Sequence, residues 1–346
     1  MPRLRSLQLT LLISLLYFAL PVCGDDLRQT ANNILLYQRN TGGWPKNYDR
    51  DAKLSETERT QLKLDKAQTD STIDNGATHR EIRILAKAYH RLGNQPFRDA
   101  AIAGVKYLLQ AQYDNGGWPQ YYPQPSSYHQ HITYNDDAMI GVMDLFRNIV
   151  QSSGDLEFVS SDIRRQCDRA LQRGLQCILK TQIRVDGRLT AWCAQHDAKT
   201  LAPAKARSYE LPSISGNESV GIVRYLMKIE NPDKDVVAAI EGAISWFESA
   251  QLKGLRQIKS EAPAAPHGMD IKIIPDPSAP PLWARFYDLQ TQQPFFCSRD
   301  GIPKKTIAEI SHERRNGYSW LGTYAVELLQ KHYPQWKTNY GSAIVP

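Results

Sequence analysis

The chain contains no Cys-x-x-Cys pair and no His-rich tract, so the usual sequence signatures of a zinc site are missing. Cysteine is scarce, with five among 346 residues. Beyond the first 24 residues no apolar run is long enough to span a bilayer. Strand-like runs are few and short, the best being 271–274 and 294–297. Neither sign of charge dominates: the formal net charge is +6, and no basic stripe with interleaved aromatics is concentrated anywhere, which argues against nucleic acid as a partner. What is there is a chain of 42% apolar residues with no break in composition, enough for one large core.

Residues 1–24 read as a secretory signal peptide rather than as part of the fold. Arg3 and Arg5 form a charged start, Leu7 to Leu20 an apolar centre, and Val22-Cys23-Gly24 offers small residues for cleavage. The apolar run is too short for a membrane span, and Pro21 ends it. A lipoprotein signal would use Cys23, but Pro21 and Val22 fit that signal poorly. The expectation is a secreted or periplasmic monomer with a single domain over residues 25–346. Without Arg3 and Arg5 there remain 40 basic and 36 acidic residues, a formal +4, which is compatible with a polyanionic ligand but weak support for one. Export permits disulfides. Cys167 and Cys177 lie ten residues apart in a helical pattern, about 15 Å by helix rise, too far to pair there. A Cys193–Cys297 bond and four buried free thiols both stay open.

Against these absences stands a phrase that recurs. Residues 38–48 read Gln-Arg-Asn-Thr-Gly-Gly-Trp-Pro-Lys-Asn-Tyr, and residues 112–122 read Gln-Tyr-Asp-Asn-Gly-Gly-Trp-Pro-Gln-Tyr-Tyr. A degenerate copy follows at Gln182, with Asp186, Gly187, Arg188 and Trp192, and a fourth starts at Gln251. The glutamines are spaced by 74, 70 and 69 residues, and repeats of this length dictate architecture.

A second element alternates with the first. Asp74-Asn75-Gly76-Ala77, Asn135-Asp136-Asp137-Ala138, Gly216-Asn217-Glu218-Ser219 and Asn316-Gly317-Tyr318-Ser319 each open an apolar stretch of helical spacing: Thr78–His90, Met139–Phe146, Val220–Met227 and Trp320–Leu329. The pattern predicts four helical hairpins, each with a polar mouth where its inner helix begins. A repeated helix pair must bury its apolar face on neighbours at both sides, as an open solenoid or a closed ring. Mouths that converge on one end favour the ring. The expected fold is all-α, an (α/α) toroid with long loops and a few short strands around one cleft.

The mouths differ in charge. Asp74-Asn75 and Asp136-Asp137 place oxygen groups at corresponding points of neighbouring repeats, a hard donor set that suits Ca²⁺. Asn and Asp also cap helices, but a cap needs one such residue and each of these mouths carries two. The third approach carries Lys205, Arg207, Tyr209 and Glu210, and the fourth Arg299, Lys304, Lys305, Arg314 and Arg315. Arginine is the residue for bidentate recognition of carboxylates. For Arg314 and Arg315 a solvated charge pair ahead of a helix is an equal reading. Calcium on one side of a cleft and several guanidinium groups on the other suggest an acidic polysaccharide as ligand. Trp44, Trp118, Tyr121, Tyr122 and Tyr209 offer faces for sugar rings, although packing beneath the Gly-Gly turns is the expected role of the two tryptophans. The Pro-rich stretch Ala262 to Pro281 is expected to wrap one rim.

Taken together, Thr41-Gly-Gly-Trp-Pro-Lys46, Ile73-Asp-Asn-Gly-Ala-Thr78, Tyr113-Asp-Asn-Gly-Gly-Trp-Pro-Gln120, Thr133-Tyr-Asn-Asp-Asp-Ala-Met139, Ala206-Arg-Ser-Tyr-Glu210 and Pro281-Leu-Trp-Ala-Arg-Phe-Tyr-Asp288 resemble the family 10 pectate lyases. So do Cys297-Ser-Arg-Asp-Gly301 and the run Arg-Arg-Asn-Gly-Tyr-Ser-Trp at 314–320. The resemblance spans about residues 30–335, with its motifs in order. It implies an (α/α) toroid that cleaves polygalacturonate by β-elimination with Ca²⁺. It implies that Arg207 abstracts the C5 proton of the galacturonate in the +1 subsite. Asp74 and Asp136, with Asn75 and Asp137 beside them, would serve the Ca²⁺ and substrate site, and Arg299 would meet a substrate carboxylate. Lys304, Arg314 and Arg315, with Tyr209 and Glu210, are looser assignments to substrate binding.

The chemistry is coherent apart from the family. A proton α to a carboxylate is too weakly acidic to leave unless the developing charge is neutralised, which Ca²⁺ and a guanidinium group can do. An arginine base is the difficult part, because guanidinium stays protonated far above neutral pH. A basic neighbourhood that includes Lys205, and a high working pH, would help; an alkaline optimum is expected. Two other readings remain: a toroidal glycoside hydrolase with Asp74 and Asp137 as its paired carboxylates, and a non-catalytic pectin-binding protein.

Overall fold

The computed structural model describes residues 23–340. The signal-peptide reading of residues 1–24 lies outside them except for its last two positions. Among the described residues ten α-helices form the scaffold: α1 (Cys23–Tyr37), α2 (Glu56–Leu64), α3 (His79–Leu92), α4 (Gln95–Ala111), α5 (Ala138–Val150), α6 (Ser161–Thr181), α7 (Glu218–Met227), α8 (Lys234–Ser249), α9 (His312–Gly317) and α10 (Tyr333–Tyr340). They alternate between two rows. α3 and α4, α5 and α6, and α7 and α8 pack as hairpins; α1, α3, α5 and α7 stand side by side in an inner row, and α4, α6 and α8 in an outer one. A π-helical turn, Leu328–His332, packs beside α7 and leads into α10. This is the all-α toroid architecture that the repeats predict.

Local sequence explains each element. α3 buries Ile82, Leu85 and Ala86 along one face, and it stops at Gly93, whose φ of 65° supplies the left-handed C-cap. α5 buries residues on nearly every side, as a helix enclosed by neighbours must. The fourth inner helix departs from expectation. Residues from Trp320 onward do not start a helix: Leu321–Gly322 pairs with Trp283–Ala284 as a short strand, and the chain becomes helical only at Val326. Trp320 is the reason, because it is buried with its indole N–H donated to the Arg314 carbonyl at 2.9 Å, which pins this stretch as an extended connection.

Most strands are two-residue pairings. The exception is an antiparallel hairpin, Leu255–Glu261 with Met269–Pro275, which contains the run 271–274 and most of the Pro-rich stretch. Its first strand is illegible in sequence because Arg256, Gln257, Lys259 and Glu261 are exposed and leave no continuous apolar face. Cys167, Cys177, Cys193 and Cys297 are buried free thiols, so Cys193 and Cys297 are not bonded to each other.

The recurring phrase is a clamp between repeats. The Gln38 amide donates to the carbonyls of Gly42 and Ala100 at 2.9 Å each, and Gln112 repeats this with Gly116 and Ala170 at 2.9 Å each. Gln182 does the same with Thr190 and Ala239 at 2.8 Å. One bond closes the residue's own loop and the other reaches the following outer helix. Beside each clamp a fully buried tryptophan, Trp44, Trp118 or Trp192, donates its indole N–H at 2.8 Å to the helix that precedes it, at Ile34, Leu108 or Ile178. Packing is therefore the role of Trp44 and Trp118. The turn glycines are obligatory: Gly42 and Gly116 have φ of +94° and +92°, and a Cβ there would fall 2.6 and 2.0 Å from the carbonyl oxygens of Ala103 and Arg173. At the fourth copy Gln251 makes no such bridge among the described hydrogen bonds. Trp283, from beyond the long hairpin, supplies the indole bond to Phe247 at 2.9 Å instead.

Two outcomes follow for stability. Gln182→Ala strands two carbonyls in a buried joint and should cost about 2–4 kcal/mol, read as a lower urea midpoint at unchanged m-value. His196 is fully buried between the Cys193 amide and the Leu201 carbonyl, and burial lowers its pKa from 6.5 to about 4. The unfolded chain binds this proton at a higher pH than the folded one, so the stability is present above the unfolded value and is lost as pH falls through that window. The melting temperature should drop between pH 6.5 and about 4, and His196→Gln should flatten that drop.

Candidate active site

The chain enters α3 and α5 through two 3-10 turns, Asp74–Gly76 and Asn135–Asp137, which pack against each other. In each turn the central residue is left-handed, Asn75 at φ 51° and Asp136 at φ 50°, a conformation that Asn and Asp tolerate. The true counterparts are thus Asp74 with Asn135 and Asn75 with Asp136, one residue out of step with the expected matching of the aspartates. The capping reading fails here. The N-cap residues of α3, α5 and α7 are Thr78, Asp137 and Asn217, and none of them makes a side-chain cap hydrogen bond. The mouth oxygens are left for other partners.

Asp74 is buried. Lys46 Nζ donates to its Oδ2, while Oδ1 has no partner. Burial alone would lower the Lys46 pKa, but the hydrogen bond and charge of Asp74 raise it overall. Asn75 donates to Asn47 Oδ1 at 2.8 Å, and Asn135 to Asp136 Oδ2 at 2.7 Å. The Asp136 carboxyl is half exposed, and burial raises its pKa against the pull of Arg285. Asp137 lies against Gly221 of α7, and its carboxyl is raised by burial and then by Glu218.

A buried arginine joins this acidic side to a basic one. Arg285 is held by backbone bonds from its N–H to Trp320 and from Gly216 to its carbonyl, at 2.7 and 3.1 Å. Its Nη2 donates to Glu218 Oε1 and, at 3.2 Å, to Asn135 Oδ1; it stands 3.6 Å from Asp136 Oδ1. The guanidinium lies 4.8 Å from the centre of the Tyr318 ring. Tyr318 donates its hydroxyl to Glu210 Oε1 at 2.7 Å, and Glu210 Oε2 accepts from Arg207 Nε at 2.7 Å. The hydrogen bonds that Arg207 donates to Glu210 lift its pKa above the ordinary value. Burial raises the pKa of the Tyr128 hydroxyl, on the turn Ser127–Gln130, and the charges of Arg207, Glu210, Lys46 and Asp74 act on it more weakly.

The other basic residues divide. Arg314 and Arg299 lie 4.6 and 5.8 Å from the centre of the Tyr209 ring, beside Arg207 at 5.0 Å, and both pair with Glu313. Tyr209 and Glu210 are buried beneath these guanidinium groups, so they hold the basic side in place. Arg315 turns away, bidentate to Asp270 of the long hairpin at 2.8 and 2.7 Å. Lys304 sits in the short strand Pro303–Lys304 paired with Phe296–Cys297, without a described bond to the cleft residues. Sequence reasoning missed Lys46, Glu218, Arg285 and Tyr318 as site residues. Arg285 had a signal, a single charge inside the apolar run Leu282–Tyr287.

Among the described residues no group of three or more His, Cys, Asp or Glu side chains could hold a metal ion by itself. Calcium takes about six to eight oxygens. The unpartnered Asp74 Oδ1 and the half-exposed Asp136 fit Ca²⁺ as part of a shell completed by ligand carboxylates and water, not as a closed protein cage.

A toroid whose mouths bring carboxylates and guanidinium groups together is compatible with an enzyme of acidic polysaccharides. The family model described as pectic acid lyase matches residues 38–329, and the chain belongs to that family. An aspartate-to-alanine variant of the family 10 polysaccharide lyase from Cellvibrio cellulosa, in complex with trigalaturonic acid, matches with 33% identity and a TM-score of 0.78 over 92% of this chain and 96% of that one. The family 10 polysaccharide lyase from Cellvibrio cellulosa itself matches with 33% identity and a TM-score of 0.76 over 92% and 95%. No curated protein matches the chain. The protein is a polysaccharide lyase of the pectate lyase type.

Removing Glu218 leaves Arg285 charged and buried. Glu218→Ala should destabilise the fold by about 3–5 kcal/mol in chemical denaturation.

Proposed function

We propose that the protein is an exported pectate lyase that cleaves α-1,4-linked polygalacturonate by Ca²⁺-dependent anti β-elimination, with Arg207 as Brønsted base. The observation that carries this reading is the unbroken relay Asp136, Arg285, Tyr318, Glu210, Arg207, which holds a carboxylate mouth and a guanidinium in one cleft. The trimer of galacturonate in the similar lyase supports the substrate class. Bound Ca²⁺ would supply charge neutralisation at the uronate carboxylate next to C5. Asp74 and Asp136, with Asn75 adjoining, would hold it jointly with the substrate; Asp137, the fourth residue expected there, faces Gly221 of α7 instead. Arg299, exposed beside Tyr209, presents donors to a further carboxylate along the chain, while Arg314 is buried against Glu313 and Tyr209 and helps to hold that side in place. Arg207 takes the C5 proton, the C5–H electrons form the C4–C5 double bond, the C4–O bond breaks, and water protonates the leaving oxygen.

The local field works against the base. The nearest partner of Arg207 is a carboxylate rather than Lys205, and Glu210 keeps the guanidinium protonated. High pH and a loosening of that pair on substrate binding are what the role requires. The paired-carboxylate hydrolase has less support: Asp74 is engaged by Lys46, and Asp137 turns to Gly221.

With polygalacturonate at alkaline pH, the ultraviolet absorbance of the unsaturated product should rise with Ca²⁺ and stay flat with a chelator. New reducing ends without that absorbance would mean hydrolysis. Arg207→Ala should lower kcat by about 10²–10⁴-fold. Glu210→Gln removes the interaction that raises the Arg207 pKa, so the limb of the kcat/KM profile that rises with pH should move to lower pH. A limb that stays in place would remove Arg207 from the role of base.

A further inference from the structure

Three joints of the scaffold are set by a glutamine amide, and at the fourth Gln251 leaves that place empty. There the chain inserts the long hairpin, Leu255–Glu261 with Met269–Pro275, between α8 and the segment that carries the later arginines. The hairpin is tied at two ends. Its root is closed by the Asp276 N–H, which donates to the Gly254 carbonyl at 2.8 Å, and by the pairing of Leu252 with Leu282. Beneath its middle runs an apolar groove of about 670 Å³, walled by Ile271, Ile273, Phe296, Ile307 and Leu321. Close packing therefore does not fix the hairpin along its length, and its second tie matters the more.

That second tie is to α9. Asp270 accepts from Arg315 Nε and Nη2 at 2.8 and 2.7 Å and from Asn316 Nδ2 at 2.8 Å, and the His312 ring meets the Met269 carbonyl at 2.8 Å. The Asp270 and Arg315 side chains are only 16% and 13% exposed. A helix of six residues has little stability of its own, so its attachments decide where it lies. On the core side Trp320 holds the Arg314 carbonyl at 2.9 Å; on the rim side Asp270 holds Arg315 and Asn316. Between them α9 carries Glu313, which accepts from Arg299 Nε and Nη2 at 3.2 and 2.9 Å. Both partners of that pair are more than half exposed, and an exposed pair defines a position only as well as the backbone beneath it is held.

We propose that Asp270 is a positioning residue for polyuronate binding: through Arg315 and Asn316 it sets α9, and α9 sets, through Glu313, where Arg299 presents its guanidinium. The latch does at the fourth joint what the amide does at the other three, but what it fixes is a ligand-facing group. A guanidinium fork meets a carboxylate best when the two planes align, so a small rotation of α9 costs affinity without touching the reacting atoms. This proposal rests on the reading of Arg299 as partner of a substrate carboxylate.

The test is steady-state kinetics on polygalacturonate, read by the absorbance of the unsaturated product, for Asp270→Ala, Arg299→Ala and the double variant. Each single change should raise KM about tenfold, the loss of one charged hydrogen-bonded pair with the substrate. For Asp270→Ala kcat should stay within about twofold of the parent, the mark of lost binding and not of lost chemistry. In the Arg299→Ala background Asp270→Ala should raise KM by less than about twofold more, because the group it positions is gone. Asp270→Asn keeps one acceptor for the latch and should fall between the parent and Asp270→Ala. It carries the same comparison if melting curves show Asp270→Ala to be unfolded. If removing Asp270 leaves KM unchanged, or raises it by the same factor with and without Arg299, the latch does not act through Arg299 and the proposal fails alone. If Arg299→Ala itself leaves KM unchanged, the reading of Arg299 as a substrate partner fails and takes this proposal with it. A parent without activity on polygalacturonate removes both.

Discussion

The structure depends on a side-chain amide with two donors, used three times. Gln38, Gln112 and Gln182 each close a loop and seize the next outer helix. A helical hairpin cannot bury its apolar face alone, and hydrophobic packing does not specify how far one hairpin slides along its neighbour. Two directed hydrogen bonds from one planar group do specify it. The rest of the phrase serves that join: a left-handed glycine lets the loop approach the helix backbone, and an indole anchors the loop to the helix behind.

With the repeats in fixed register, their mouths can diverge without risk to the scaffold. The first two keep acidic and amide groups, and the later segments bring arginine. Arg285 is the point where both meet, paired with Glu218 in the interior and reaching Asp136 and Tyr318. A buried pair of this kind adds little stability over an apolar equivalent but leaves a large penalty if one partner is lost. Its value here is placement, since it aligns the acidic mouth with the residues that hold Arg207.

Much of this was legible in the sequence, for identifiable reasons. Repeat spacing disclosed the hairpins, helical periodicity the inner helices, and the family 10 motifs the kind of enzyme. The offset between Asp74 and Asp136 was not legible, because it arises from left-handed backbone at Asn75 and Asp136 and not from residue order. The strand Leu255–Glu261 was hidden by its exposed charges, and the delayed fourth helix by the indole bond of Trp320. Arg315 and Arg314 look alike as neighbours in sequence, yet one faces Asp270 on the hairpin and the other the Tyr209 ring. Which way an arginine turns is decided by partners far along the chain.

The buried tryptophans carry one more consequence. Trp44, Trp118, Trp192 and Trp283 each donate to a different helix, α1, α4, α6 and α8, so every joint of the scaffold has its own chromophore in a dry, hydrogen-bonded setting. Emission from such an indole moves to longer wavelength once water reaches it. With the others replaced, each remaining tryptophan becomes an optical probe of a single seam, and the order in which the seams open can be followed without any added label.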